Sequence, residues 1–168
     1  MDSKSLSLLS SSSISSTNRW KYDVFLSFRG EDTRYKFTDH LYIALVQKGI
    51  VTFRDDEKLE RGKSISLELL QAIEELRFAI VILSENCATS SWCLDELAKI
   101  IECEKELGMT IFPIFQYVGL SNVRKQLGHF KEAFVKHEER FEEKKVKTWR
   151  DALSHVGNLA GCHLKNIS

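Results

Sequence analysis

The chain has no surplus of charge of either sign: 24 Lys and Arg offset 24 Asp and Glu. Composition therefore gives no reason to propose non-specific binding to nucleic acid or to a membrane surface. Cysteine is sparse, with four residues, Cys87, Cys93, Cys103 and Cys162. None lies in a Cys-x-x-Cys pair, and no histidine pair has zinc spacing, so neither a redox motif nor a zinc module is expected. That usage fits a reduced, intracellular protein. Proline occurs once, at Pro113. No apolar run approaches the length of a membrane span. The serine-rich opening contains no long apolar block, which argues against a secretory signal.

With 168 residues, the chain is long enough for one domain with a true core. Residues 1–19 read as a disordered serine-rich leader, 20–164 as the domain and 165–168 as a tail. The acid-poor leader has a faint transit-peptide character. The cluster from His137 to Lys145 reads as a solvated helix surface or helix connection, with a charged-partner site as the alternative.

Short apolar runs alternate with amphipathic segments, the pattern of a βαβ-wound sheet. Strands are expected at Asp23–Phe28, Ile50–Phe53, Phe78–Leu83 and Ile111–Phe115. Each is apolar on both faces, as in parallel strands covered on both sides. Helical stripes are expected at Phe37, Leu41, Ala44 and Leu45; at Ile65, Leu69, Ala72, Ile73 and Leu76; at Leu94, Leu97, Ile100 and Ile101; and at Trp149, Ala152, Leu153, Val156 and Leu159. Gly49 and Gly108 end the first and third stripes. No fifth strand stands out. The span from Gln116 to Val146 is helical at Phe130–His137 and ambiguous elsewhere. The best fold is flavodoxin-like: a three-layer α/β sandwich on a parallel sheet of four to five strands. Its ligand crevice lies at the carboxyl ends of the first and third strands.

Two stretches carry the candidate chemistry. Tyr22-Asp23-Val24-Phe25-Leu26-Ser27-Phe28 runs as a strand into the turn Arg29-Gly30-Glu31-Asp32-Thr33-Arg34, just ahead of a helix. Such a junction offers backbone N–H groups to an anionic ligand. Arg29 and Arg34 add fixed positive charge, and Gly30 permits close approach. Further on stands Ser90-Ser91-Trp92-Cys93-Leu94-Asp95-Glu96-Leu97. On a helical wheel Ile100 falls about 40° and Cys93 about 60° from Glu96. Glu96 should therefore sit at the edge of the buried stripe, partly desolvated. Asp95 and Glu102 should point away, and Trp92 could wall a planar ring.

Together these motifs closely resemble those of plant TIR (Toll/interleukin-1 receptor-like) domains, found in nucleotide-binding leucine-rich-repeat immune receptors and in TIR-only proteins. The resemblance spans about Trp20 to Leu164. It implies NAD⁺ hydrolysis that releases nicotinamide, by a glycohydrolase or cyclase route, in plant innate immune signalling. Glu96 is then catalytic. Arg29, Gly30, Glu31, Asp32, Thr33, Arg34, Gly62, Ser91 and Trp92 bind substrate. NAD⁺, or NADP⁺, is the substrate; no cofactor is held permanently and no metal is implied. Self-association is assigned to Asp39 and His40 and to Arg54, Arg61 and Lys63 of the loop after the second strand. Partners would be other TIR domains, and the expected location is the cytoplasm, with the nucleus and plastid as lesser alternatives. Where relatives carry Asp-Pro after the fourth strand, this chain has Gly119-Leu120, which should loosen that loop. The competing reading is a catalytically silent TIR interaction module. A phosphoacceptor receiver fits poorly, since Ser84 ends the third strand where that family needs Asp.

Overall fold

The computed structural model describes residues 22–29, 37–54 and 66–165. Five parallel strands form one sheet in the order β2-β1-β3-β4-β5. They are β1 (Val24–Ser27), β2 (Thr52–Arg54), β3 (Phe78–Leu83), β4 (Thr110–Gln116) and β5 (Cys162–Leu164). The helices are α1 (Phe37–Gln47), α2 (Leu67–Glu74), α3 (Ser91–Leu107), α4 (Leu120–Lys125), α5 (His129–Arg140) and α6 (Glu143–Gly157). A short 3₁₀ turn, Cys87–Thr89, precedes α3. This is the expected flavodoxin-like architecture, with the strand order reversing between β1 and β3.

The fifth strand is a finding that the sequence did not disclose. Cys162-His163-Leu164 is too short and too polar to read as a strand. It forms because Gly161 lets the backbone pass against β4: a Cβ there would lie 2.1 Å from the Pro113 carbonyl oxygen. The ambiguous stretch after β4 resolves into α4, α5 and the first turn of α6.

Alternation along the strands divides the side chains between two unequal faces. On one face, Phe25, Ala79, Val81, Leu83, Ile111 and Phe115 pack against α2 through α6 in one large cluster. Leu69, Ile73, Leu94, Leu97, Ile100, Ile101, Trp149, Ala152, Leu153 and Val156 supply its helical side. These belong to the stripes expected from periodicity; Ala72 and Leu159 are half-buried, and Ile65 lies outside the described residues. On the other face the buried apolar cluster is small: Leu26, Ile82 and Ile114. Among the described residues, α1 alone packs there, through Phe37, Leu41 and Tyr42.

The thin cover has visible consequences. Phe78 and Phe112 on that face stay 50% and 47% exposed. Ala44, expected in the buried stripe of α1, is exposed, because no described helix flanks α1 on the sheet. No helix of the described residues is long and apolar enough to cross a membrane.

The charged cluster from His137 to Lys145 needs one correction. Most of it is exposed, but His137 is buried. Its Nε2 lies 2.7 Å from the Ala88 carbonyl oxygen, and the rings of Phe134, Phe141 and Trp149 surround it. Burial, more than the nearby Arg140, pulls its pKa below the usual value despite the bond to Ala88. His137 is thus a neutral donor that ties α5 to the turn ahead of α3.

Candidate active site

The site is built where α3 begins, beside the end of β1. Ser90 is the N-cap of α3, and its hydroxyl accepts a hydrogen bond from the Cys93 backbone N–H at 3.2 Å. That bond satisfies one of the helix's unpaired N–H groups and fixes where the first turn starts. Ser91 follows as the first helical residue, half-buried. Trp92, Cys93 and Glu96 then project from the first two turns toward the sheet.

Glu96 is wholly buried, with 0% exposure. One carboxylate oxygen, Oε1, accepts from the Ser27 hydroxyl at 2.9 Å. The other, Oε2, accepts from the Trp92 indole Nε1–H at 3.1 Å. The wheel placed Glu96 at the stripe's edge; in the fold the end of β1 and the Trp92 ring close over that edge. Trp92 is itself only 7% exposed and donates to Glu96, so it is an internal strut as well as a candidate wall. The Ser27 and Trp92 donors offset part of the cost of burying a carboxylate.

Cys93 adds a second link to the same strand end. Its thiol lies 3.8 Å from the Phe28 carbonyl oxygen, as a weak donor. Cys103, further along α3, is a packing residue: it is buried, and burial pushes its thiol up to about 11. Ser27 and Cys93 are site residues that the sequence reading passed over. The available signal was Ser27 itself, a hydroxyl closing an otherwise apolar strand.

Asp95 does not point freely away. It is half-buried and accepts from the Trp149 indole Nε1–H at 3.0 Å, with the Lys145 ammonium 3.8 Å from its other oxygen. It anchors α3 to α6 on the side opposite β1. Glu102 is exposed, as expected.

Arg29 is half-buried and lines a small cavity of about 20 Å³ with Ser27, Phe28, Leu83, Cys87 and Cys93. Gly30, Glu31, Asp32, Thr33, Arg34, Arg61, Gly62 and Lys63 lie outside the described residues. A roomier depression of about 510 Å³ sits elsewhere, between α5 and α6, lined by Glu138, Phe141 and Arg150. It is an open charged groove that shares no residue with either motif. The strand-end site is the better candidate, because it gathers buried, directed polar groups.

Of the residues assigned to self-association, Asp39, His40 and Arg54 are described, and they stand apart from Glu96. Asp39 and His40 are exposed on α1. Arg54 ends β2, and its guanidinium lies 2.6 Å from Asp39 Oδ1 and over the Tyr42 ring. Two of the assigned charges therefore pair within the domain. No group of three or more His, Cys, Asp or Glu among the described residues is arranged to hold a metal.

The Gly119-Leu120 departure acquires a structural meaning. Gly119, at φ −81° and ψ 140°, is the N-cap of α4 and offers no side-chain cap. Leu120 is the first helical residue and is partly buried against the main core, not a surface side chain. The Asp-Pro of relatives would place a capping carboxylate and an N1 proline at these two positions.

This geometry defines a parallel α/β domain with a buried carboxylate held at its topological switch point. The TIR domain family profile matches residues 21–168, and the chain belongs to the TIR domain family. It is 58% identical over 155 residues to disease resistance protein RPV1 of Vitis rotundifolia, covering 92% of this chain and 11% of that protein. It is 54% identical over 151 residues to TMV resistance protein N of Nicotiana glutinosa, covering 89% and 13%. Among solved structures it resembles the TIR domains of the activated Roq1 resistosome, described as directly recognizing the pathogen effector XopQ. The TM-score is 0.78 at 51% identity, with 87% of this chain and 89% of that one covered. The chain spans little more than a tenth of the length of these two resistance proteins.

Proposed function

We propose that this domain is an NAD⁺ glycohydrolase of the ADP-ribosyl cyclase and hydrolase type, and that it acts in plant immune signalling when it self-associates. The observation that carries the reading is Glu96: fully buried, with one oxygen accepting from the Ser27 hydroxyl and the other from the Trp92 indole. The chemistry needs one such group. Nicotinamide leaves a cationic glycoside as a neutral molecule, so no general acid has to protonate it. What remains is to stabilise an oxocarbenium-like ribosyl centre, which an ionised carboxylate does electrostatically. Asp95 is turned to α6 and supplies no paired acid. NADP⁺ is an alternative substrate of the same chemistry.

Burial of Glu96 also fits activity gated by assembly. With no exposed surface, its carboxylate meets a ribosyl ring only after the groups over it move. Contacts between copies through Asp39, His40 and the loop after Arg54 could bias that movement. Action in the cytoplasm or nucleus, with other TIR domains as partners, belongs to the same proposal. The second reading, a catalytically silent interaction module, draws its support from the altered cap at Gly119 and Leu120.

The test is nicotinamide release from NAD⁺ over a hundredfold range of protein concentration, with light scattering in parallel. The parent should show specific activity that rises with concentration. Glu96→Ala should abolish release, and so should Glu96→Gln, the gentler change. Gln fills the same volume and can still bond Ser27 and Trp92, whereas Ala strands two buried donors. Release at the parent rate by either variant would exclude Glu96 as the catalytic group.

A further inference from the structure

We infer that Ser27 is a positioning residue for Glu96: its hydroxyl fixes the catalytic carboxylate to the end of β1. This rests on the reading of Glu96 as catalytic.

Ser27 is 5% exposed and closes a strand whose other residues, Val24, Phe25 and Leu26, are all buried. A hydroxyl in such a setting costs free energy unless it is hydrogen-bonded. Alanine would fit the same backbone at no such cost. What the hydroxyl does there is donate to Glu96 Oε1 at 2.9 Å, across 69 residues of sequence.

Ser27 and Trp92 differ in kind as donors to Glu96. Trp92 lies four residues earlier on the same helix, so it moves with α3 and sets the carboxylate only relative to that helix. Ser27 belongs to the sheet. It is the donor that registers the carboxylate against the frame from which Phe28 and Arg29 extend. The weak Cys93 to Phe28 contact joins the same helix to the end of that strand, but it touches backbone and not the carboxylate. With Ser27 and Trp92 in place, each oxygen has a directed donor. A group that must face a developing positive charge gains from such fixing, because little reorganisation is left for the reaction itself.

The loss of one hydrogen bond to a charged group corresponds to about tenfold to a hundredfold in rate when that bond serves the transition state. Ser27→Ala should therefore lower kcat by that factor. KM should change little, since Ser27 is not in the turn that would hold substrate. Ser27→Thr keeps the hydroxyl and should restore most of kcat. The second readout does not depend on turnover: the side-chain carboxyl ¹³C resonance of Glu96, assigned by its disappearance in Glu96→Gln. It should shift in Ser27→Ala and return toward the parent position in Ser27→Thr.

An unmoved Glu96 resonance in Ser27→Ala would overturn the inference, and so would an unchanged kcat in a parent that turns over. Equal loss in Ser27→Ala and Ser27→Thr, with both melting at the parent temperature, would also refute it. Should the parent release no nicotinamide at all, the NAD⁺ reading fails by itself. The resonance then still decides whether Ser27 holds Glu96.

Discussion

The two faces of the sheet are made from similar residues and end up differently. One face lies beneath α2 through α6 and buries Phe25, Val81, Leu83 and Phe115 almost completely. The other meets only α1 among the described residues, and half the surface of Phe78 and Phe112 is open. Glu96 sits on the thick side, where depth lowers the effective dielectric and strengthens every charge interaction. The candidate self-association residues Asp39, His40 and Arg54 sit on the thin side. The chemistry and the contacts between copies are thus assigned to opposite faces, linked through β1, whose last residue holds Glu96.

The largest expected effect lies in the thick layer. Ile100 is fully buried one turn beyond Glu96. Ile100→Ala should destabilise the fold by about 2–5 kcal/mol, through lost transfer energy and a cavity. Phe112→Ser on the thin face should cost only about 0.8–1.5 kcal/mol, since half of the ring is already in water. Urea unfolding of the two variants is a direct comparison. Similar losses would show that the thin face is better covered than its exposure indicates.

A smaller effect is expected from pH. His137 is held neutral by burial within the thick layer, with Arg140 on its own helix also disfavouring its charge. On the α6 side it meets Trp149, with the Lys145 ammonium 5.5 Å from that ring's centre. Its folded pKa lies below that of the unfolded chain, so the unfolded state binds the proton first as pH falls. Its contribution to stability is complete above the unfolded value of about 6.5. It declines as pH drops from there toward the lowered folded value. Unfolding midpoints should fall between pH 7.5 and 5, more steeply in the parent than in His137→Gln. Equal slopes would remove His137 as the cause.

The smallest effect concerns α4. Gly119→Asp should stabilise the domain by a few tenths to about 1 kcal/mol, by capping α4 and restricting the unfolded chain. A Cβ at this position meets nothing nearer than Asn122 Nδ2 at 4.0 Å. Adding Leu120→Pro should erase part of that gain, because Leu120 packs against the core. Thermal melts of the single and double variants measure both steps. A double variant more stable than Gly119→Asp would show that the packing of Leu120 contributes little.

The sequence by itself determined the sheet, the stripes and the chemistry on offer. Phe78–Leu83 reads as a strand and is one, with the same bounds. Leu94, Leu97, Ile100 and Ile101 read as one buried stripe and are all buried, because periodicity reports burial wherever a helix has a single partner surface. Ser91, Trp92 and Glu96 could be picked out because they stand together in one short motif that resembles that of plant TIR domains, and neighbours within one helical turn are a local feature. Tertiary structure decided the rest. β5 exists because β4 waits beside it and Gly161 clears its path; three residues carry too little pattern to say so. Ala44 is exposed although its stripe is apolar, because periodicity names a face and not what covers it. His137 is buried inside a charged run because the turn ahead of α3 and Trp149 of α6 converge on it. Glu96 moved from the edge of a stripe to complete burial because the end of β1, 69 residues away in the chain, closes over it. No local pattern carries a contact of that span; it is set only when the sheet brings the two segments together.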